Sequence, residues 1–311
     1  MPSHAHPRLH GTAAAALLAA ATVVWACTPD ETDRVVAGDV TIQTQADAAR
    51  IADAVEITGK LTVKRADLDR LSLPRLRSIG GKLYVQKNPR LAALSLPALE
   101  TVGTASGDVL IIERNPALAA IDLGSLTATA YQLAVRENGA LRHLSLPGLA
   151  EARGLGIEIT DDAALEDVSA PGLMRSAAIT IRGCPGLRAA AFPILPSTAA
   201  LVVEDDTRLA RLDLTSLARI NHGVDHSDAW IPCRLSLIGD GEIATLAGLQ
   251  HLAHLGPDCQ VEIRGNAALP TCETDALRTR LTASGADLGG ARICDNLTDG
   301  CGGATCPAPA P

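Results

Sequence analysis

The stretches LYVQKNPRLAALSLPAL (residues 83–99) and LAVRENGALRHLSLPGL (residues 133–149) share one form, L-x-V-x-x-N-x-x-L-x-x-L-x-L-P-x-L. Weaker copies read IEITDDAALEDVSAPGL (157–173) and ITIRGCPGLRAAAFPIL (179–195). A repeat of roughly two dozen residues marks a stacked array, because one unit alone cannot bury its apolar face. The leucine three places after the turn residue gives the register: Leu68, Leu91, Leu118, Leu141, Leu165, Leu187, Leu209, Ile243 and Leu269. Those positions predict about nine coils.

Alternating pairs such as Leu83/Val85 and Ile179/Ile181 mark one short strand per coil. A second pair, such as Leu94/Leu96, marks another. Pro74, Pro97, Pro147, Pro171 and Pro193 then turn the chain, since proline cannot donate to a ladder. No interval has room for a long helix. The reading is a mainly β fold: a right-handed β-helix, or solenoid, of about nine leucine-rich coils with short helical caps at both ends. Residues 38–42 read as the first strand, 45–54 as the first cap, and Thr271 as the N-cap of a closing helix from Cys272 to about Ala283.

The first 26 residues have the form of an export signal ending in Val24-Trp25-Ala26-Cys27, which resembles a bacterial lipobox. Trp25 departs from that pattern. This reading makes Cys27 the lipid-bearing residue and 27–36 a tether. The solenoid follows over 37–270, a disulfide-rich cap over 271–301 and a Cys/Pro/Ala tail over 302–311. Removing Arg8 with the signal leaves 26 Lys+Arg against 35 Asp+Glu, a net charge of −9. That balance argues against nucleic acid as a partner. After the signal only Tyr84, Tyr131, Phe192 and Trp230 are aromatic, too few for a stacking groove.

Residues GDVTIQTQADAARIADAVEITGKLTV (38–63), followed by the repeats, resemble the receptor L domain, the β-helical module of insulin- and EGF-receptor ectodomains. The resemblance covers roughly 37–270, and LPTCETDAL and DNLTDGC resemble the closing segment of bacterial surface lipoproteins of this type. It implies a binding or structural role and transfers no catalytic residue. The expectation is therefore a monomeric non-enzyme without cofactor or bound metal. It would be held to a membrane by its N-terminal lipid in a bacterial cell envelope, at the outer membrane or surface. The partner would be an unknown protein or envelope component. The rival is a carbohydrate-active envelope enzyme on the same scaffold.

Cys233 and Cys259 each lie seven residues before the turn residue of their coil, Asp240 and Asn266. Adjacent coils then put their Cα atoms ~4.8 Å apart, within disulfide reach. Cys272, Cys294, Cys301 and Cys306 allow three pairings, of which Cys272–Cys301 with Cys294–Cys306 is preferred. Cys184 falls in the turn column Asn88, Asn115, Asn138, Asp162, Cys184, Asp206, Asp240, Asn266 and reads as a buried ladder residue.

Two places escape the repeat. The 34-residue interval before Ile243 contains Asn221, His222, Asp225, His226, Asp228 and Trp230, a candidate partner-binding loop. A transition metal there is weakly supported, since Gly223 breaks any helix, and His251 and His254 carry less support still. Glu137, Asn138, Asp161 and Asp162 gather carboxylates at one corner. A Ca²⁺ site is the sharp reading of it and a solvated charged face the favoured one. In the neighbouring column, Glu113 and Arg136 are expected to pair.

Overall fold

The computed structural model describes residues 33–222 and 230–301. These form a parallel β-solenoid of about ten turns. Its main sheet has eleven parallel strands. They are Val40–Thr44, Leu61–Asp67, Leu83–Gln86, Val109–Glu113, Gln132–Arg136, Gly156–Thr160, Ala178–Arg182, Ala200–Glu204, Arg234–Ile238, Gln260–Arg264 and Arg292–Cys294. The turn count exceeds the nine read from the leucine register because the first coil, from Val40, carries no register leucine.

Many of these strands alternate, and Ala200–Glu204 is buried throughout. In Leu83–Gln86 the leucine and valine are buried, while Tyr84 and Gln86 lie partly in solvent. Stacking is in register, so Leu83 meets Leu61 and Leu110, and Val85 meets Val63 and Ile112. The inward columns merge into one core running the length of the rod, and Phe192 is its largest fully buried side chain. A fully buried leucine contributes about 1.5–3 kcal/mol through its removal from water.

Seven successive coils, from the one that starts at Leu61 to the one that starts at Ala200, have three strands where the alternation predicts two. After Leu83–Gln86 come Ala93–Ser95 and, past the Pro97 turn, Thr101–Val102. The two-residue strands stack into a seven-stranded sheet that begins with Arg34–Val36 pairing with Ala54–Ile57 and ends at Arg175–Ser176, and into a three-stranded sheet from Ser197–Thr198 to His254–Leu255. Two residues are too short to show a period, which is why the third strand is silent in the sequence. The pairing also makes Arg34–Val36 part of the fold, although the sequence reading placed these residues in the tether.

The turns follow from their residues. The Leu99 N–H donates to the Leu96 carbonyl across Pro97 at 3.1 Å, and Leu118 donates to Asn115 across Pro116 at 3.0 Å. Proline at the second position of such a turn presets its backbone angle. The first cap is a helix over Gln45–Arg50 only, with a Thr44/Asp47 capping box. Ala54 belongs to the strand Ala54–Ile57, so the helix cannot reach it as the sequence reading expected. The closing helix spans Thr271–Ala283, with Pro270 at its N-cap position. Thr271 is its first residue, not its cap. The Asp299 carboxylate caps it from outside the helix, accepting the Cys272 N–H at 3.2 Å and the Thr271 hydroxyl at 2.5 Å.

Candidate functional site

The buried turn column organises the molecule. The Asn115 Oδ1 accepts from the Asn88 N–H at 3.0 Å and from its Nδ2 at 2.9 Å, while the Asn115 Nδ2 donates to the Val85 carbonyl at 3.0 Å. Asn88, Asn115, Asn138, Asp162, Cys184, Asp206 and Asp240 are wholly buried. Each rung except Cys184 accepts from the backbone N–H of the rung before it. At Cys184 the Asp162 N–H points to the sulfur instead. The Cys184 thiol donates to the Arg182 carbonyl, and burial raises its pKa far above an ordinary thiol's. A thiol so held is a packing residue, not a nucleophile.

The left-handed backbone sits one residue before the rung, and the rung itself, where Asn or Asp would tolerate it, does not need it. Arg65, Lys87, Arg114, Glu137, Asp161 and Asp205 have φ between 52° and 61°, and Gly183, Gly239 and Gly265 continue the column. This backbone throws the side chains outward, and Arg114 pairs there with Glu137 of the next coil. Arg114 Nε lies 3.0 Å from both Glu137 carboxylate oxygens and holds that carboxyl below the usual range. Asp162 turns inward as a rung, so the corner is an ion-paired surface over a buried ladder. Among the described residues, the one cluster with metal-ligand spacing is Cys272, Asp299 and Cys301. Its two cysteines are joined in a disulfide, so their sulfurs are not thiolate ligands.

The outer face of the main sheet is crossed by ion pairs. Arg136 meets Glu113 at 3.2 Å and Glu158 at 3.3 Å, and Glu204 meets Arg182 at 2.6 Å and Arg234 at 3.3 Å. The N-terminal end of this face is different. There Lys60, Lys64, Lys82 and Tyr84 line a shallow depression with Thr62, Gln86 and Ile111. Lys60 pairs with Asp39 at 2.9 Å, whereas Lys64 and Lys82 have no ion pair among the described residues. Sequence reasoning missed this patch. Its signal was Gly-Lys-Leu occurring twice, at 59–61 and 81–83.

At the break in the repeat, His222 is a structural clamp. Its Nδ1 accepts the Cys233 N–H at 3.1 Å and its Nε2 faces the Pro257 carbonyl at 3.0 Å. A ring using both nitrogens in this way has no lone pair left for a metal. Trp230 stacks on it, ring centroids 5.8 Å apart, and remains 78% exposed. Asn221 donates its N–H to Thr198 and is half-buried. Asp225, His226 and Asp228 lie outside the described residues, as do Cys27 and Cys306. Cys233 and Cys259 form a disulfide with Cα atoms 4.5 Å apart, and Cys272 bonds to Cys301. Cys294 is also disulfide-bonded.

Residues 34–123 match the family model of the Receptor L domain. No curated protein and no solved structure matches the chain. The matched segment takes in the basic patch, and coils of the same construction continue past it to Arg292–Cys294. The chain is thus a receptor L-domain-like protein.

Proposed function

We propose that the protein is a non-enzymatic, lipid-anchored envelope scaffold that binds a protein or envelope component. The receptor L domain is a ligand-binding, non-enzymatic family. The observation that carries the reading is the division of labour in the side chains. The buried polar groups hold coils together, and on the main sheet Arg136 and Glu204 tie charges across neighbouring coils. Lys64, Lys82 and Tyr84 on the main sheet, and Trp230 at the repeat break, are left facing outward. A sheet of eleven strands is a rigid display surface, and preorganised side chains lose little entropy on binding. The contact area is the patch around Lys64 and Lys82, with Trp230 as a separate anchor. The patch suits a partner presenting acidic groups.

Anchoring rests on the lipobox-like residues 24–27, which lie outside the described residues. Mass spectrometry of the mature N-terminus tests it: a diacylated or triacylated Cys27 is expected, and an unmodified terminus defeats it. Binding is tested by capture from envelope extract with the intact protein and Trp230→Ala. Substitution is preferred to excising 221–230, because excision also removes the His222 clamp. Reduced recovery of a specific partner supports the Trp230 contact, and equal recovery of every partner excludes it.

A further inference from the structure

Five asparagines in the turn column make one bond that the three aspartates cannot make as carboxylates. Asn88, Asn115, Asn138, Asn266 and Asn296 each donate Nδ2 to a strand carbonyl of the preceding coil: Val63, Val85, Ile112, Leu237 and Ile263, at 2.9–3.0 Å. Each of these carbonyls stands three residues before its own coil's rung position. The same register sets Asp162 opposite Val135, Asp206 opposite Ile181 and Asp240 opposite Val203.

The aspartates keep half of the asparagine pattern. Their Oδ1 atoms accept from Asn138 at 2.6 Å, Cys184 at 2.8 Å and Asp206 at 3.1 Å. Their Oδ2 atoms are buried and have no partner. Oδ2 stands where asparagine has a donor, so an ionised carboxylate would set lone pair against lone pair in a dry interior. A carboxylic acid has one hydroxyl donor and fits.

We propose that Asp162, Asp206 and Asp240 are neutral carboxylic acids in the folded protein, each donating Oδ2–H to the facing strand carbonyl, which makes this part of the ladder a proton-dependent lock. The surrounding charges agree. Asp162 is faced by Asp161 and Glu137, with Asn138 and Cys184 above and below. Asp206 is faced by Asp205, Glu204, Asp240 and one cation, Arg182. Asp240 is faced by Asp206, Asp205 and Glu204, with the neutral Asn266 beyond. Burial is the main cause that pushes Asp162 and Asp206 up to about 7 and Asp240 to about 9.

The sign follows from proton counts. Unfolded aspartates release their protons near pH 3.9, while the folded rungs keep theirs to about 7, 7 and 9. The stabilisation is fully present below the unfolded value and is lost as pH rises through the folded values. Each proton taken up on folding changes the unfolding constant by a factor of ~10 per pH unit, so three change it by up to ~1000 per unit between about pH 5 and 7. Exposed carboxylates held low by their partners, such as Asp39 beside Lys60 and Asp53 beside Arg34, act in the opposite sense, below that range.

The test is urea unfolding of the full chain from pH 5 to 9, comparing the parent with the triple variant Asp162→Asn, Asp206→Asn, Asp240→Asn. The triple variant is expected to lose most of the parent's slope and to have an unfolding constant at least ~100-fold smaller at pH 8. Equal slopes would overturn the proposal. So would stabilisation of the parent, but not the variant, by calcium at pH 8, since that would make the rungs ionised cation ligands. If the triple variant does not fold, infrared spectra of the parent decide. Protonated carboxyl absorption that persists at pH 6 and disappears by pH 10 supports the lock, and its absence at pH 6 refutes it.

Discussion

Replacing Asn115 with alanine removes a rung at the middle of three consecutive asparagines, and its cost follows from the bonds it makes. The substitution leaves the buried Asn88 N–H without its acceptor and the Val85 carbonyl without its amide donor. A buried polar group stripped of its partner costs about 1–3 kcal/mol, so two cost about 2–6 kcal/mol before any cavity is counted. The assay is urea unfolding followed by circular dichroism at pH 5.5, with the loss read as a shift in midpoint at unchanged slope. Asn115→Asp separates the two bonds. It keeps an oxygen for the Asn88 N–H, and its protonated form restores a donor to Val85. It is therefore expected to lose less than Asn115→Ala at pH 5.5 and to fall further behind the parent at pH 8. A loss below ~1 kcal/mol for Asn115→Ala would refute the view that the column holds the coils together.

Other expectations follow from single features. The Cys233–Cys259 bridge closes a loop of 26 residues, for which chain entropy gives a stabilisation of ~3.5 kcal/mol; Cys233→Ala with Cys259→Ala should lower stability by that order, measured without reductant so that the Cys272–Cys301 bridge stays intact. Gly183→Ala forces a side chain onto φ +65° with its Cβ 2.8 Å from Asp161 Oδ1, and should cost about 1–2 kcal/mol in thermal unfolding. Because the Asp161 carboxylate can move aside, the backbone term dominates and Asp161→Ala should recover only a small part of that loss.

The fold was legible because its main bonds recur at fixed chain positions. Leucine columns, proline turns and the Asn/Asp column are all set by coil stacking, and the Cys233–Cys259 placement comes from the same register. What escaped was short or one-sided. A two-residue strand such as Thr101–Val102 has no detectable period. The left-handed site one residue before each rung is filled by Arg, Lys, Glu, Asp or Gly, which share no composition signal. The helix Gln45–Arg50 stops early because Ala54–Ile57 is claimed by pairing with Arg34–Val36, a tertiary effect. Of the candidate site, Trp230 was legible as an outlier. The role of His222 was not, because its partners Cys233 and Pro257 become neighbours only when the coils stack. The lysine patch was hidden by the acidic total. Net charge averages over the surface, whereas Lys60, Lys64 and Lys82 converge on one end of one sheet.

The claim that this chain is a binding scaffold is tested most directly by reversing two lysines of the basic patch, Lys64 and Lys82, which have no ion pair among the described residues. Lys64→Glu with Lys82→Glu touches no rung and no core leucine, so urea stability should stay within ~0.5 kcal/mol of the parent. Recovery of the partner captured by the intact protein should drop at least ~10-fold, with the difference shrinking as salt is raised. Undiminished capture by the folded double variant would contradict the account.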